Sequence, residues 1–410
     1  MIYLSVLLLL AFLSFHYDIN GRRAYISIRV RNTNRDTWYR FMLVVFILIA
    51  GLRWRVGIDT PPYLSSFYHE ISTLDNLSNY SYTIGEDPFW YLLNSLVKTL
   101  GGRFYMVQLI HASIINILIF KFIKKYSNYW FTCLFFYAIT CYTTYNMEIL
   151  RGSISIVICL YANDYILEKK WLKGYMLYLL ALMFHAQTLM MFVLPIFFFL
   201  RFNKLGVLTC IGAFLLGNVI MSMFSDYLFL FEDNETMARK LNRYAASDYA
   251  VQIKNINFFI TQIFPMLFYS IFSFLYLKHK SHDNKLLKFE PLIVLGVVFI
   301  LIRMNLEIAY RYVDYFKIYF VLVFSECFIR MIRYQNKVSP IIASLKSFII
   351  FLPLFLVLLV YNYIISETYS LRYTPYSSIF EKGVSRERES MYMELNATKA
   401  FYPPANKNEY

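Results

Sequence analysis

Residues 41–63 read FMLVVFILIAGLRWRVGIDTPPY. The first ten carry no charge and no polar side chain, whereas the next thirteen hold Arg53, Arg55 and Asp59, two glycines and two prolines. An apolar run that breaks at once into a charged, turn-rich segment reads as a membrane helix emerging from the bilayer. Gly51 and Gly57 permit turns, and Pro61 and Pro62 stop a helix from continuing. Irregular backbone at the membrane edge is tolerated only where protein buries it or where it lines a wet cavity. Arg53 and Arg55 share one face if the segment is extended and point apart if it is helical.

The rest of the chain supports that start. Of 410 residues, 59% are hydrophobic and 16% charged, too little polar surface to cover a soluble core of this size. The expected fold is all-α: a polytopic integral membrane protein of about twelve transmembrane helices. The formal net charge of +14 is read as lysine and arginine collected in short cytoplasmic loops, and no nucleic-acid partner is expected. All five cysteines lie inside apolar runs without metal-ligand spacing, so they are assigned to packing. The first apolar run has no basic flank before it and no small-residue cleavage site after it, and is expected to be retained.

Positive charge orients the spans. Residues 2–17 cross inward to an arginine-dense segment ending near Arg40, and residues 41–52 cross outward to the opening motif. Residues 89–100 are too short and interrupted to span and are expected to lie in the interface or re-enter. Spans follow at 104–123, 129–145 and 153–167, the first and last ending in KK-containing loops. Residues 174–200 are long for one helix; read as a tight pair of short helices turning near His185, they keep Arg201 and Lys204 inside. Further spans are expected at 205–224, 256–277, 291–302, 313–329 and 348–365. The chain thus divides into a membrane domain, 1–365, and an extracytoplasmic tail, 366–410.

On this topology the lysines sit mostly inside, while Arg53, Arg55, Arg151, Arg303 and Arg311 fall at outer helix ends with Asp59, Glu86, Asp87, Glu148, His185 and Glu307. Arginine offers a fixed fork of donors for phosphate or carboxylate, and ionisable groups at a membrane are costly enough to suggest function. The bland alternative is that these arginines pair with Asp87, Glu148 and Glu307 or snorkel to headgroups. Glu148 and Arg151, three apart, would face the same way on a helix, so that Glu148 either pairs with Arg151 or orients it into a cavity. His185 lies in an apolar stretch, where a histidine is commonly a core residue; beside Gln187 and Thr188 it is also a candidate proton carrier. Arg303, Glu307 and Arg311 are spaced i, i+4, which on a helix makes one charged ridge, with Tyr310, Tyr312 and Tyr315 adding hydroxyls and ring faces. No nucleotide-binding loop, zinc-protease motif or nucleophile elbow is present, and no metal or cofactor is expected.

The stretch from Gly51 to Tyr63 resembles the G-x-R-x-x-x-G-x-D-x-x-x-Y signature of EpsG-like, Wzy-type polysaccharide polymerases. Asn146 to Arg151, Phe184-His185, Arg311 to Tyr315-Phe316, and Tyr373 to Tyr376 are similar to later motifs of that family, in the same order. The resemblance implies a GT-C-like helical bundle with an outer-face cavity, acting on undecaprenyl-pyrophosphate-linked oligosaccharide repeat units at the outer leaflet of a bacterial inner membrane. It implies diphosphate or substrate contacts by Arg53, Arg55, Tyr63, Arg151, Arg303, Arg311 and Tyr312, with Asp59 or His185 as the base. A flippase and a chain-length regulator are the implied partners. The products would be O-antigen, capsule or exopolysaccharide. The rivals are another polyprenyl-dependent glycosyltransferase or O-antigen ligase, with Asp59 as the catalytic group in the former, and a polysaccharide flippase or transporter.

Overall fold

The computed structural model of the protein describes residues 2–19, 28–79, 87–226, 263–280, 285–304, 309–334 and 371–397. Among them every element is helical, and the one isolated bridge of extended backbone joins Arg53 to Ser378. Among the described residues, three helices are long and apolar enough to cross a membrane: Ile2–Ile19, Phe104–Tyr126 and Leu150–Leu167. Trp130–Tyr142, Trp171–Phe184, Ala186–Phe197 and Lys204–Leu215 are shorter apolar helices. The expected span 348–365 and the first part of 256–277 lie outside the described residues. Four of the five cysteines are buried and all are free, as packing residues would be.

The chain forms two compact units, Met1–Val193 with Leu359–Tyr410, and Leu194–Leu358. The first contains α1 (Ile2–Leu13), α2 (Ile28–Gly51), α3 (Thr60–His69), α4 (Pro88–Thr99), α5 (Phe104–Tyr126), α6 (Trp130–Tyr137), α7 (Leu150–Leu167) and α8 (Trp171–Phe184). Helix α2 starts well before the expected span and carries the described part of the arginine-rich segment, 28–40, as helix. Its buried face, Tyr39, Met42, Phe46 and Ile49, repeats at helical spacing, while Phe41, Val44 and Leu48 face outward as a lipid-facing stripe would. It packs on α5 through Gly51, where an added Cβ would stand 2.8 Å from the Leu109 Cα. Tyr39 donates to the Phe120 carbonyl at 2.8 Å. Helix α7 is buried along most of its length and holds α8 through Ser155 Oγ, which donates to the Ala181 carbonyl at 2.7 Å. Buried amides pair within the unit: Asn116 donates to Asn146 at 2.7 Å, and Asn146 to the Tyr137 hydroxyl at 3.0 Å. Internal pairing of this kind is what a lipid environment demands of polar groups.

These helices set two ends. At one, Arg35 pairs with Asp18 at 3.0 Å and lies over the Trp130 ring at 4.0 Å, and Lys125 pairs with Asp164 at 2.6 Å. At the other lie the end of α2 and the starts of α5 and α7, which carry Arg53, Arg103 and Arg151. The 23 residues of α5 separate the two ends by roughly 34 Å at 1.5 Å per residue.

The segment expected to pair two short helices does so. Helix α8 ends at Phe184, His185 is extended (φ −159°, ψ 121°), and a 3₁₀ helix, Ala186–Phe192, folds back until Phe192 meets Tyr178 and Tyr175. Helix α4 is amphipathic, with Phe89, Leu92, Leu96 and Leu100 outward and Trp90, Asn94 and Val97 buried, in keeping with an interfacial or re-entrant piece. The described tail, 371–397, groups with the first unit and packs on the loop after α2.

The second unit contains α9 (Lys204–Asp226), α10 (Phe264–Lys280), α11 (Glu290–Arg303), α12 (Tyr310–Val313) and α13 (Lys317–Tyr334). Glu290 takes Lys278 at 2.7 Å and the Phe202 N–H at 3.0 Å, an ion pair among the loops expected to be cytoplasmic. The remaining helix, α14 (Arg386–Ala397), belongs to the tail.

Candidate functional site

The loop after α2 is fixed by backbone bonds from the distant tail. Trp54 N–H donates to the Ser377 carbonyl at 2.9 Å, Ile379 N–H to that of Leu52 at 2.9 Å, and Gly57 N–H to that of Arg372 at 3.0 Å. Gly57 has φ +95°, and a Cβ there would stand 2.2 Å from the Met147 oxygen, so only glycine fits. Arg53 is fully buried; its Nε donates to the Val56 carbonyl at 3.1 Å, its Nη1 to Ala50, and its Nη2 has no partner among the described residues. Burial pulls its guanidinium down to about 10, which leaves it charged at neutral pH. Arg55 is also buried, at φ +49°, with Glu389 of α14 at 3.5 Å. The segment is neither helical nor extended throughout, with Arg53 in a bridge and Arg55 left-handed, and both arginines line one cavity of about 200 Å³, bordered by Thr60, Leu64 and Tyr68 of α3.

A second cluster forms around Asp87. This carboxylate, 2% exposed, receives Arg151 Nη1 at 2.7 Å and the Ala186 N–H at 3.0 Å, with His185 Nδ1 at 3.4 Å. Arg151 Nε donates to the Tyr63 hydroxyl at 3.2 Å, and its guanidinium stands over the Tyr63 ring. Burial raises the Tyr63 phenol above its ordinary range, opposed by Arg151. Asp59, at the start of α3, is within electrostatic reach of Tyr63, Glu148 and Arg151. Asp59 and Tyr63 are i, i+4 on α3, whereas Thr60, Leu64 and Tyr68 repeat on a different face. Helix α3 therefore has Arg151 on one face and the Arg53–Arg55 cavity on another.

Glu148 does not orient Arg151. Two π turns, Ala138–Tyr142 and Thr144–Glu148, carry the chain to Ile149, whose ψ of 57° breaks the helix between the two residues. Glu148 instead meets Arg372 at 3.6 Å, and burial raises its carboxyl above the ordinary range. Asp87 takes its place beside Arg151. The available signal was Asp-Pro at a helix start, where a carboxylate ordinarily caps; this one makes no cap bond and reaches across to α7.

Arg303, Arg311 and Tyr312 belong to the second unit. Arg303 ends α11 with its guanidinium 5.7 Å from the Tyr310 ring centre, Arg311 sits half-buried in α12, and Tyr312 lies on Phe299 with centroids 5.4 Å apart. The expected ridge is thus split between two helices, and Glu307, like Glu86, lies outside the described residues.

Apolar helices of spanning length, with ionisable groups gathered at the end away from the lysine-rich one, define a polytopic helical membrane protein. The chain belongs to the EpsG family, whose model matches residues 36–378. Membership brings a general role in polysaccharide polymerisation, of glycosyltransferase type. No curated protein and no solved structure matches it.

Proposed function

We propose that the protein polymerises undecaprenyl-pyrophosphate-linked oligosaccharide repeat units at the outer face of the bacterial inner membrane, with arginines holding the pyrophosphates. A flippase would deliver the units and a chain-length regulator would limit the product. The observation that carries this reading is Arg151, braced by Asp87 and Tyr63 beside His185, in a member of the EpsG family.

The chemistry is glycosyl transfer. The acceptor sugar hydroxyl attacks the anomeric carbon of the donor glycan, the bond from that carbon to the diphosphate oxygen breaks, and undecaprenyl pyrophosphate leaves. Arg151 neutralises the charge that develops on the leaving oxygen, a task for which a bidentate guanidinium is suited and which requires no bound metal. The hydroxyl proton goes to His185 or to Asp59. For His185, Asp87 faces Nδ1 and leaves Nε2 to take the proton. The Cδ2–Nε2 edge lies beside Gly152, where an added Cβ would stand 3.3 Å from the His185 Cδ2. Arg303, Arg311 and Tyr312 are proposed as substrate contacts of the second unit.

The test is gene deletion followed by gel analysis of surface glycan, with complementation by Arg151→Ala and Arg311→Ala proteins present at normal level. The expected result is a change from a ladder to single capped units. Full-length polymer from both variants would refute the arginine roles, and an unchanged ladder in the deletion strain would refute polymerisation.

A further inference from the structure

The cavity on the other face of α3 has a charge pattern of its own. Arg53 and Arg55 form its buried part, while Arg103 and Lys382 are exposed at its edge. Gln108, in the first turns of α5, lines it as well, so the positive end of a 23-residue helix adds to four cations. Two of the lining residues each carry a buried nitrogen with no partner among the described residues: Arg53 Nη2, on a residue with no exposure, and Gln108 Nε2, on one 2% exposed. A buried donor left unmade is costly, so two of them on residues that line a cationic cavity point to an anion that draws these side chains toward it. Among the described residues no carboxylate and no imidazole lines the cavity; the Glu389 carboxylate meets Arg55 from α14.

We infer that this cavity is a second diphosphate site, built to hold an anion and not to react with it. Its volume, about 200 Å³, lies below the roughly 300–1,000 Å³ of sites that enclose a whole small molecule. It suits a phosphoryl head and leaves any attached sugar or lipid outside. The Arg151 cluster combines a cation with candidate bases, as bond breaking requires; this cavity offers cations alone. Resting on the polymerase reading, the assignment is that the acceptor lipid's diphosphate, which stays intact during transfer, is held by Arg53, Arg103, Gln108 and Lys382. The donor's diphosphate is held at Arg151. Two diphosphates repel strongly at short range, and α3 keeps them on separate faces, each with its own cations.

The experiment measures binding of inorganic pyrophosphate, and separately of farnesyl diphosphate, to the full chain in detergent by titration calorimetry. Two sites are expected in the unaltered protein. An Arg103→Ala/Gln108→Leu variant is expected to keep one, and Arg151→Gln to keep the other. Because Arg53 also braces its own loop, it is left unaltered. Lys382→Ala, at an exposed position, is expected to weaken the cavity site by about tenfold, the scale of one charge-assisted contact. Tighter binding of farnesyl diphosphate than of pyrophosphate identifies a lipid-borne ligand, whereas equal binding identifies the anion alone as the determinant; both support the site. Two unchanged sites in the Arg103→Ala/Gln108→Leu variant, with unchanged affinity in Lys382→Ala, would overturn it. A protein that binds two diphosphates yet yields no ladder in cells would sink the polymerase reading and leave the cavity standing.

Discussion

Asp87→Asn isolates the charge at the centre of the Arg151 cluster. The wild-type carboxylate is nearly inaccessible and takes one donor from Arg151 at 2.7 Å and one from the Ala186 amide at 3.0 Å. Asparagine keeps the volume and an oxygen for the amide, so the loss falls on Arg151 and on the orientation of His185. Hydrogen bonds to charged groups contribute about 1.5–3 kcal/mol. The Arg151 side chain is 37% exposed, which moves its share toward the surface value of roughly 0–1 kcal/mol. We therefore expect Asp87→Asn to lower stability by about 1–2 kcal/mol, measured by reversible unfolding in mixed micelles. Polymerisation should fall further, by about a hundredfold, because a mis-aimed guanidinium no longer meets the leaving oxygen. Assays with purified lipid-linked repeat units would read that change as kcat at constant protein. The double variant Asp87→Asn/Arg151→Gln should be little worse than either single variant, since both break one pair. Additive losses in stability, or wild-type polymer from Asp87→Asn, would refute the pairing as the functional unit.

Gly57→Ala should destabilise the first unit by about 2–4 kcal/mol, because φ +95° and the Met147 oxygen both oppose a Cβ; an unchanged melting temperature would contradict this. Burial raises the Glu148 carboxyl above its ordinary 4.5, so folding favours its protonated form, and the stability this provides is complete below that value and lost as pH rises through the folded one. Glu148→Gln should therefore gain stability relative to wild type at pH 7–8 and lose that advantage near pH 4; a pH-independent difference would refute the assignment. Removal of residues 371–410 takes away the bonds to Leu52, Trp54 and Gly57, and should expose the loop to limited proteolysis after Arg53 or Arg55. Resistance equal to that of the full chain would show that the tail does not hold the loop.

Helix class and the break at His185 were legible because both depend on local pattern: apolar length for the first, a histidine in an over-long apolar run for the second. The start of α2 was not, since arginines near a membrane end are ordinary loop residues until Asp18 and Trp130 hold Arg35 in place. Asp87 was legible among the carboxylates an arginine could take, but which arginine takes it was not. Spacing linked Glu148 to Arg151 on the assumption of an unbroken helix, and Ile149 breaks it. The partner that Arg151 takes, Asp87, is 64 positions away in sequence, and no periodicity connects them. Arg103, Gln108 and Lys382 escaped notice for a related reason: each is an ordinary polar residue until α5 and the tail bring them to Arg53.

The spacing from Gly51 to Tyr63 acquires a physical reading at each position. Gly51 lets α2 approach the backbone of α5, which brings the start of that helix to the cavity. Two residues later Arg53 turns inward beneath it, anchored to the carbonyls on either side of its own loop. Gly57 passes under the Met147 oxygen at a backbone angle closed to other residues, tying the loop to the segment that leads into Arg151. Asp59 then opens α3, and Tyr63 follows one turn on, so both lie on the face toward Arg151 while Thr60 and Leu64 close the cavity on another. A deletion of one residue within α3 would rotate its faces by about 100° and send Tyr63 away from Arg151. The thirteen-residue pattern thus specifies a partition between two arginine-bearing surfaces, and its intervals are those a short helix needs to border both.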